Sequence, residues 1–381
     1  MTDFLSNVRI RSGNQMVAEG ALRAGCKFFA GYPITPASGI YKTMIDMLPG
    51  KGGVALSAPD EISALAYCVG ASLRGQKAMT ATSGPGWALM TETVQYALMT
   101  ETPVVIAMVQ RLGPSTGGAT QNAQGDVLLV ENCTSGGYTI PVFTPSNPVE
   151  CYELTHLAFT WSELLRTPVV VMLDKEVGMT SEDVDYMRIH DLTTLSRQRI
   201  AQSGNGSNGN VDTYYFEHPE DVPSFVPVGG KIKTTVTGSA HNKAGRLQKN
   251  SPETLEVLYH LQKKIDANAN QMELVKRDVE DGARTLIVSY GITARTAREA
   301  VRRIRKNAEK VSWLNVLSLF PVPENKLRNS LHGIERIVIP EENFGGQYRS
   351  VIETLFDDQD IVGVNKIGSM ITPDEIIAKV V

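Results

Sequence analysis

Four short stretches of this chain carry side chains able to do chemistry, and each follows an apolar run. Pro33-Ile34-Thr35-Pro36 is a stiff turn presenting a hydroxyl, and Asp60-Glu61 after Pro59 offers carboxylates suited to moving a proton. Thr82-Ser83-Gly84-Pro85-Gly86 presents bare backbone. Gln110-Arg111, followed by Gly113-Pro114-Ser115-Thr116-Gly117-Gly118, brings a guanidinium able to give a carboxylate two parallel donors. Each also has a plain reading. Asp60 and Glu61 are ordinary first-turn acids at a helix start, Thr35 is a turn residue between prolines, and Arg111 is a surface arginine. Gly84 and Gly86 make a tight turn, since two glycines at that spacing do not form a dinucleotide fingerprint. The weight lies in convergence: if the apolar runs form one parallel sheet, all four stretches share its carboxyl-end rim, where open α/β sheets bind ligands.

The elements that must position them are legible as an alternation of helix-period segments with short apolar runs over residues 13–174. The helical segment 14–24 leads to a strand at 27–30, and later strands fall at 54–56, 77–82, 103–109, 139–143 and 168–173. Helices are expected at 61–73, after the 83–86 turn to about 98, and at 149–165. Strands buried on both faces should be continuously apolar, and these are. After Asp174 the regularity fails for about a hundred residues, a length uncommon inside a compact domain, and residues 203–210 read as a flexible low-complexity link. Helical periodicity resumes over 252–277. A second α/β unit follows, with strands at 285–290, 311–316, 334–339 and 361–364 and a helix running to Arg305.

A chain of 381 residues with 42% apolar and 20% charged residues belongs with ordinary globular proteins. A net charge of −4 gives no polyanion-binding footprint, so no nucleic-acid partner is expected. Arg302, Arg303, Arg305 and Lys306 read as a solvated helix end. No apolar stretch reaches the ~20 residues of a membrane span, and the N-terminus shows no leader pattern, so a cytoplasmic location without membrane association is the default. Cys26, Cys68, Cys133 and Cys151 lie far apart and form no CxxC pair, which leaves no zinc site, redox dithiol or iron–sulfur cluster to assign here.

Taken together with Thr100-Glu101-Thr102-Pro103 and Gln124-Gly125-Asp126, these stretches closely resemble the alpha subunit of 2-oxoacid:ferredoxin oxidoreductases, most nearly the 2-oxoglutarate type. The likeness covers about the first 180 residues and resumes from about 285, where Glu341-Glu342-Asn343-Phe344-Gly345-Gly346-Gln347 is similar to the family's second-domain signature. The resemblance implies an α/β protein: a pyrimidine-type thiamine-diphosphate-binding parallel-sheet domain at 1–180, an irregular connecting region at 181–282, and a smaller transketolase C-terminal-like domain at 283–381.

It also implies roles. Glu61 is similar to the carboxylate that bonds the cofactor's pyrimidine ring and drives the tautomer change needed for proton removal, with Gly84, Pro85 and Gly86 beside the cofactor. Arg111 resembles the residue that holds the substrate carboxylate, Thr35 its hydroxyl partner, and Ile34 and Pro36 the pocket wall. Thiamine diphosphate would be shared with a beta subunit carrying the diphosphate, Mg2+ and a [4Fe-4S] cluster. In agreement, the single Gly-Asp, Gly125-Asp126, continues into Val127 rather than a third metal-site glycine. Gamma or delta subunits, ferredoxin, coenzyme A and a 2-oxoacid complete the implied partners, and Asn343 to Gln347 read as a strand-to-helix turn. One departure bears on substrate. Ser135-Gly136-Gly137-Tyr138 stands where relatives selective for 2-oxoglutarate or branched 2-oxoacids commonly carry His-Gly-Asp-Tyr, and spacing identifies no contact for a distal carboxylate; Lys42 and Lys51 are conceivable but read as surface lysines. Branched-chain, aromatic and pyruvate-like substrates stay open. A Rossmann-type enzyme is disfavoured by the missing glycine fingerprint, and a non-catalytic scaffold by the joint presence of Glu61 and Arg111.

Overall fold

The computed structural model describes residues 7–190, 192–200 and 211–380; the link expected at 203–210 lies outside the described residues. Strand β1 (Val8–Ser12) runs into helix α1 (Gly13–Arg23) through a capping box. Ser12 Oγ accepts the Gln15 N–H while Gln15 Oε1 accepts that of Ser12. Next come β2 (Phe28–Gly31), α2 (Ser38–Met47), β3 (Val54–Ser57), α3 (Glu61–Leu73), β4 (Ala78–Thr82), α4 (Gly84–Met99) and β5 (Val104–Gln110). They are followed by α5 (Val127–Glu131), β6 (Val142–Phe143), α6 (Pro148–Leu165), β7 (Pro168–Asp174), α7 (Lys175–Met179) and β8 (Ser181–Asp185), which pairs antiparallel with β1.

The chain then runs through α8 (Pro252–Asp266), α9 (Ala269–Met272), β9 (Val275–Asp278), β10 (Thr285–Tyr290), α10 (Gly291–Lys306), β11 (Ser312–Val316) and β12 (Ser318–Phe320). It closes with α11 (Glu324–Arg328), β13 (Arg336–Glu341), α12 (Gln347–Ile352), β14 (Asp360–Asn365) and α13 (Pro373–Val380). Among the described residues no helix is long and apolar enough to cross a membrane.

Seven strands form the larger sheet in the order β12-β6-β7-β5-β4-β2-β3, parallel except where β12 meets β6. Every residue of β4, β5 and β7 is buried, as their largely apolar runs require of central strands covered on both faces. A fully buried aliphatic side chain contributes about 1.5–3 kcal/mol, so these three strands anchor the sheet. The smaller sheet has the order β14-β13-β10-β11-β9, parallel except for β9. The two units interlock: β12 completes the larger sheet, and Trp87 of α4 shares a core with Tyr290 and Tyr348.

Two expectations need correction. The helical run over 252–277 is broken: α8 stops at Asp266, Asn268 Nδ2 donates to the Lys264 carbonyl (2.8 Å), and after α9 the chain becomes β9, paired with β11. Sheet pairing overrides the local helical pattern there. The strand at 139–143 shrinks to Val142–Phe143. Helix α2 was not expected, since its ten residues follow the proline-rich turn without an N-cap side chain.

Candidate active site

Strand β5 delivers Arg111 to the rim, 6% exposed. Its terminal nitrogens donate to the carbonyls of Thr35 (2.6 Å) and Thr116 (2.9 Å), so the turn after β2 and the loop after β5 both grip the guanidinium. That loop folds back sharply, with Leu112 bridged to Gly118. Gly117 (φ 50°) permits it, because a Cβ there would overlap the Leu112 carbonyl. Two of the five guanidinium donors are therefore used, and Nε is buried without a partner.

Glu61 opens α3, while its neighbour Asp60 is the N-cap, accepting the Ser63 N–H at 2.7 Å. Asp60 is thus a capping residue, and Glu61, 6% exposed, is left with no hydrogen-bond donor among the described residues. What lies against it is the start of α4. A Cβ on Gly86 would come within 2.6 Å of Glu61 Cγ and 2.8 Å of its Oε1, and would also overlap Thr82 Oγ1. Glycine at 86 is what lets a bare backbone turn lie flat on this carboxylate.

One residue earlier in the same turn, Gly84 and Pro85 line a cavity of about 570 Å³, together with Arg111, Asp126 and the second unit's Glu342, Asn343 and Phe344. The second unit is tied to this rim. Asn343 Nδ2 donates to the Gln124 carbonyl (2.9 Å), Gln347 Oε1 accepts the Leu128 N–H (3.0 Å), and Gln347 Nε2 donates to the Gly125 carbonyl (2.8 Å). The segment Asn343 to Gln347 is therefore more than a turn. It forms one wall of the cavity, with Phe344 89% exposed at the edge.

The electrostatics of this rim are unusual. Burial pushes the Asp126 carboxyl up to about 6, although Arg111 pulls it down. Burial likewise pushes Asp174, at the end of β7, up to about 8 against the hydrogen bond from the Ile292 N–H, with Glu342 adding to the rise. Glu342 is itself raised by burial. A chain of amides joins them: Gln110 Oε1 accepts the Asp126 N–H (3.0 Å), and its Nε2 donates to Asp174 Oδ1 (3.2 Å). Gln124 Nε2 donates to Asp174 Oδ2 (3.2 Å), while its Oε1 accepts the Glu342 N–H (3.1 Å).

Of the other residues singled out in the sequence, Thr35 meets Arg111 through its carbonyl, not its hydroxyl. Ile34 is half-buried against the core, and Pro36 is buried with its carbonyl accepting from Asn14 Nδ2 (2.9 Å); neither lines the cavity. Lys42 and Lys51 are exposed and away from it. Ser135, Gly136 and Tyr138 line a separate cavity with Glu92 and Gln95 of α4. Sequence reasoning gave no role to Asp174, Gln110 or Glu342, although the first two end β7 and β5 and Glu342 directly follows β13.

The family described as pyruvate flavodoxin/ferredoxin oxidoreductase, thiamine diphosphate-binding, matches residues 19–259, and pyruvate:ferredoxin oxidoreductase core domain II matches residues 283–376. The chain belongs to this oxidoreductase family. It is 36% identical to the 2-oxoglutarate synthase subunit KorA of Methanocaldococcus jannaschii, over 97% of this chain and 98% of that one. Among solved structures it superimposes with a TM-score of 0.90, at 29% identity, on the 2-oxoglutarate:ferredoxin oxidoreductase from Magnetococcus marinus, solved with 2-oxoglutarate, coenzyme A and succinyl-CoA bound. That match covers 98% of this chain and 65% of the Magnetococcus chain. A split-gene transketolase at 14% identity (TM-score 0.56) shares the fold. The α/β, thiamine-enzyme fold expected from the sequence is the one found, and relatives such as KorA are named as subunits of oxidoreductases.

Proposed function

We propose that this chain is the alpha subunit of a thiamine-diphosphate-dependent 2-oxoacid:ferredoxin oxidoreductase. The complex would oxidatively decarboxylate 2-oxoglutarate with coenzyme A to succinyl-CoA, carbon dioxide and reduced ferredoxin. The observation that carries the reading is the juxtaposition at the rim. A buried carboxylate free of protein donors lies against Gly86, and just before it in that turn Gly84 and Pro85 line a cavity together with a firmly held guanidinium that has donors to spare.

These residues fit the cofactor. Glu61 accepts from no donor among the described residues and lies against Gly86, where a side chain would collide with the carboxylate and displace it. When bound, thiamine diphosphate supplies a nucleophilic carbon able to add to a 2-oxo carbonyl and an electron store for what is released with carbon dioxide. Glu61 would hold the ring nitrogen of the pyrimidine, its dry surroundings strengthening that bond, with the backbone of Gly84, Pro85 and Gly86 alongside. Arg111 would bind the substrate carboxylate through its remaining N–H groups. Thr35, tied to Arg111 through its carbonyl, would place its hydroxyl at the same carboxylate, while Ile34 and Pro36 would shape the wall from behind. In this proposal the diphosphate, Mg2+ and a [4Fe-4S] cluster belong to a cytoplasmic beta-subunit partner.

Co-expression with that partner tests the reading. A brown complex that turns over 2-oxoglutarate with coenzyme A and an artificial electron acceptor is expected, and Glu61→Gln or Arg111→Ala should each lower turnover by at least ~100-fold. A colourless homodimer, or near-normal turnover in either variant, would remove the assignment.

A further inference from the structure

Asp126 is used by none of the roles above, yet it sits in the cavity. Its carboxylate lies flat on the first turn of α4: a Cβ on Gly84 would come within 2.8 Å of Oδ1 and 2.9 Å of Oδ2. Oδ2 is shut off from solvent and accepts no hydrogen bond. The other acid lining the cavity is committed, because Glu342 accepts from Asn122 Nδ2 and from the Ile371 N–H at 3.1 Å. Arg111 is the one cation in the lining, and its Nε is equally without a partner. Two charged residues of this wall therefore keep hydrogen-bonding capacity that the protein does not use, and both border the cavity. The charged groups that share the cavity wall with Asp126 are Arg111 from the loop after β5 and Glu342 from the second unit, and it is the Arg111 charge that acts on it. Glu61 lies against Gly86 and Asp126 against Gly84 of the same turn.

Resting on the 2-oxoacid reading above, we propose that Asp126 is a specificity-determining residue whose protonation decides whether the cavity accepts a substrate with a second carboxylate. Ionised, it neutralises Arg111 and repels a dianion more than a monoanion. Protonated, it leaves Arg111 uncompensated and turns its own oxygen into a donor for the distal carboxylate. Binding of a dicarboxylic 2-oxoacid then takes up one proton from solvent. The burial-raised midpoint near 6 puts this switch next to neutral pH.

The test compares 2-oxoglutarate with 2-oxovalerate, which lacks the distal carboxylate, on the assembled complex. The ratio of the two kcat/KM values cancels every ionisation of the free enzyme that does not discriminate between them. It should be measured from about pH 6 to 8.5, where both substrates are ionised. In the wild type the ratio should fall roughly tenfold or more as pH rises. In Asp126→Asn it should stay at its low-pH level throughout, and Asp126→Glu should restore a slope. A flat wild-type ratio overturns the proposal whether or not the variants fold, and so does an unchanged slope in Asp126→Asn. If the complex oxidises no 2-oxoacid at all, the underlying reading falls with it; if it oxidises both with a flat ratio, only this inference falls.

Discussion

Helix α4 has a buried carboxylate at each end, and the protein treats them in opposite ways. Beyond its C-terminus, Glu101 is fully buried and accepts from Lys264 Nζ (2.7 Å) and His260 Nε2 (3.2 Å). Its carbonyl takes Arg166 Nε (3.2 Å). Burial alone would push Glu101 up, yet Lys264 and then His260 hold its carboxyl well below the usual carboxylate range. At the N-terminus, the Asp126 carboxylate has no ion-pair partner among the described residues and is pushed up by burial. The first arrangement fastens α8 to the larger sheet and leaves no room; the second borders a cavity. An unpaired buried oxygen does not separate the two, since Glu101 Oε1 has no partner either; what separates them is that Glu101 is locked to two cationic donors away from the cavity, whereas Asp126 lines it.

Breaking the joint should give the largest loss. Glu101→Gln leaves Lys264 buried without a counter-charge, a change that costs about 3–5 kcal/mol. The urea midpoint of the purified chain should drop accordingly at constant slope, and adding Lys264→Met should recover a good part of the loss. A drop under 1 kcal/mol would mean that the two ends of α4 are not so different.

Filling the open end is a smaller perturbation with a different readout. Gly86→Ala places a methyl against Glu61 and Thr82, and overpacking of this kind costs about 1–3 kcal/mol. Because it displaces the carboxylate, turnover in the assembled complex should fall roughly tenfold or more. Gly70→Ala on α3, where a Cβ meets nothing within 4 Å, is the control: it should stabilise the helix by ~0.5–1 kcal/mol and leave turnover alone. Equal turnover in both variants would detach Gly86 from the chemistry.

The contrast also explains what the sequence could reveal. β4, β5 and β7 were legible because strands covered on both faces must be largely apolar, and Thr35, Glu61, Gly84 and Arg111 because each follows shortly after a strand of the same sheet. Pairings between distant segments were not legible. Asn122 meets Glu342 across 220 positions, and Glu101 meets Lys264 across 163. Nor does composition say which acid loses its water: Asp60 and Glu61 are adjacent first-turn acids, yet one caps a helix and the other is buried beside a glycine. The break after α8 was hidden for the same reason, since β9 exists only through its pairing with β11.

The smallest expected effect concerns cations at neither end of α4. Lys42 lies exposed on α2, and exposed Lys51 uses its carbonyl to accept Lys27 Nζ at 2.7 Å. Neither side chain reaches the cavity that holds Arg111 and Asp126. Substituting either by Ala should change stability by no more than ~0.5 kcal/mol, as at ordinary surface positions, and kcat/KM for 2-oxoglutarate by less than about twofold, under 0.5 kcal/mol of barrier. A tenfold rise in KM for 2-oxoglutarate that spares 2-oxovalerate would put the far end of the substrate at α2 instead. The orphaned carboxylate at the start of α4 would then have no claim on it, because one distal carboxylate cannot be read in two places.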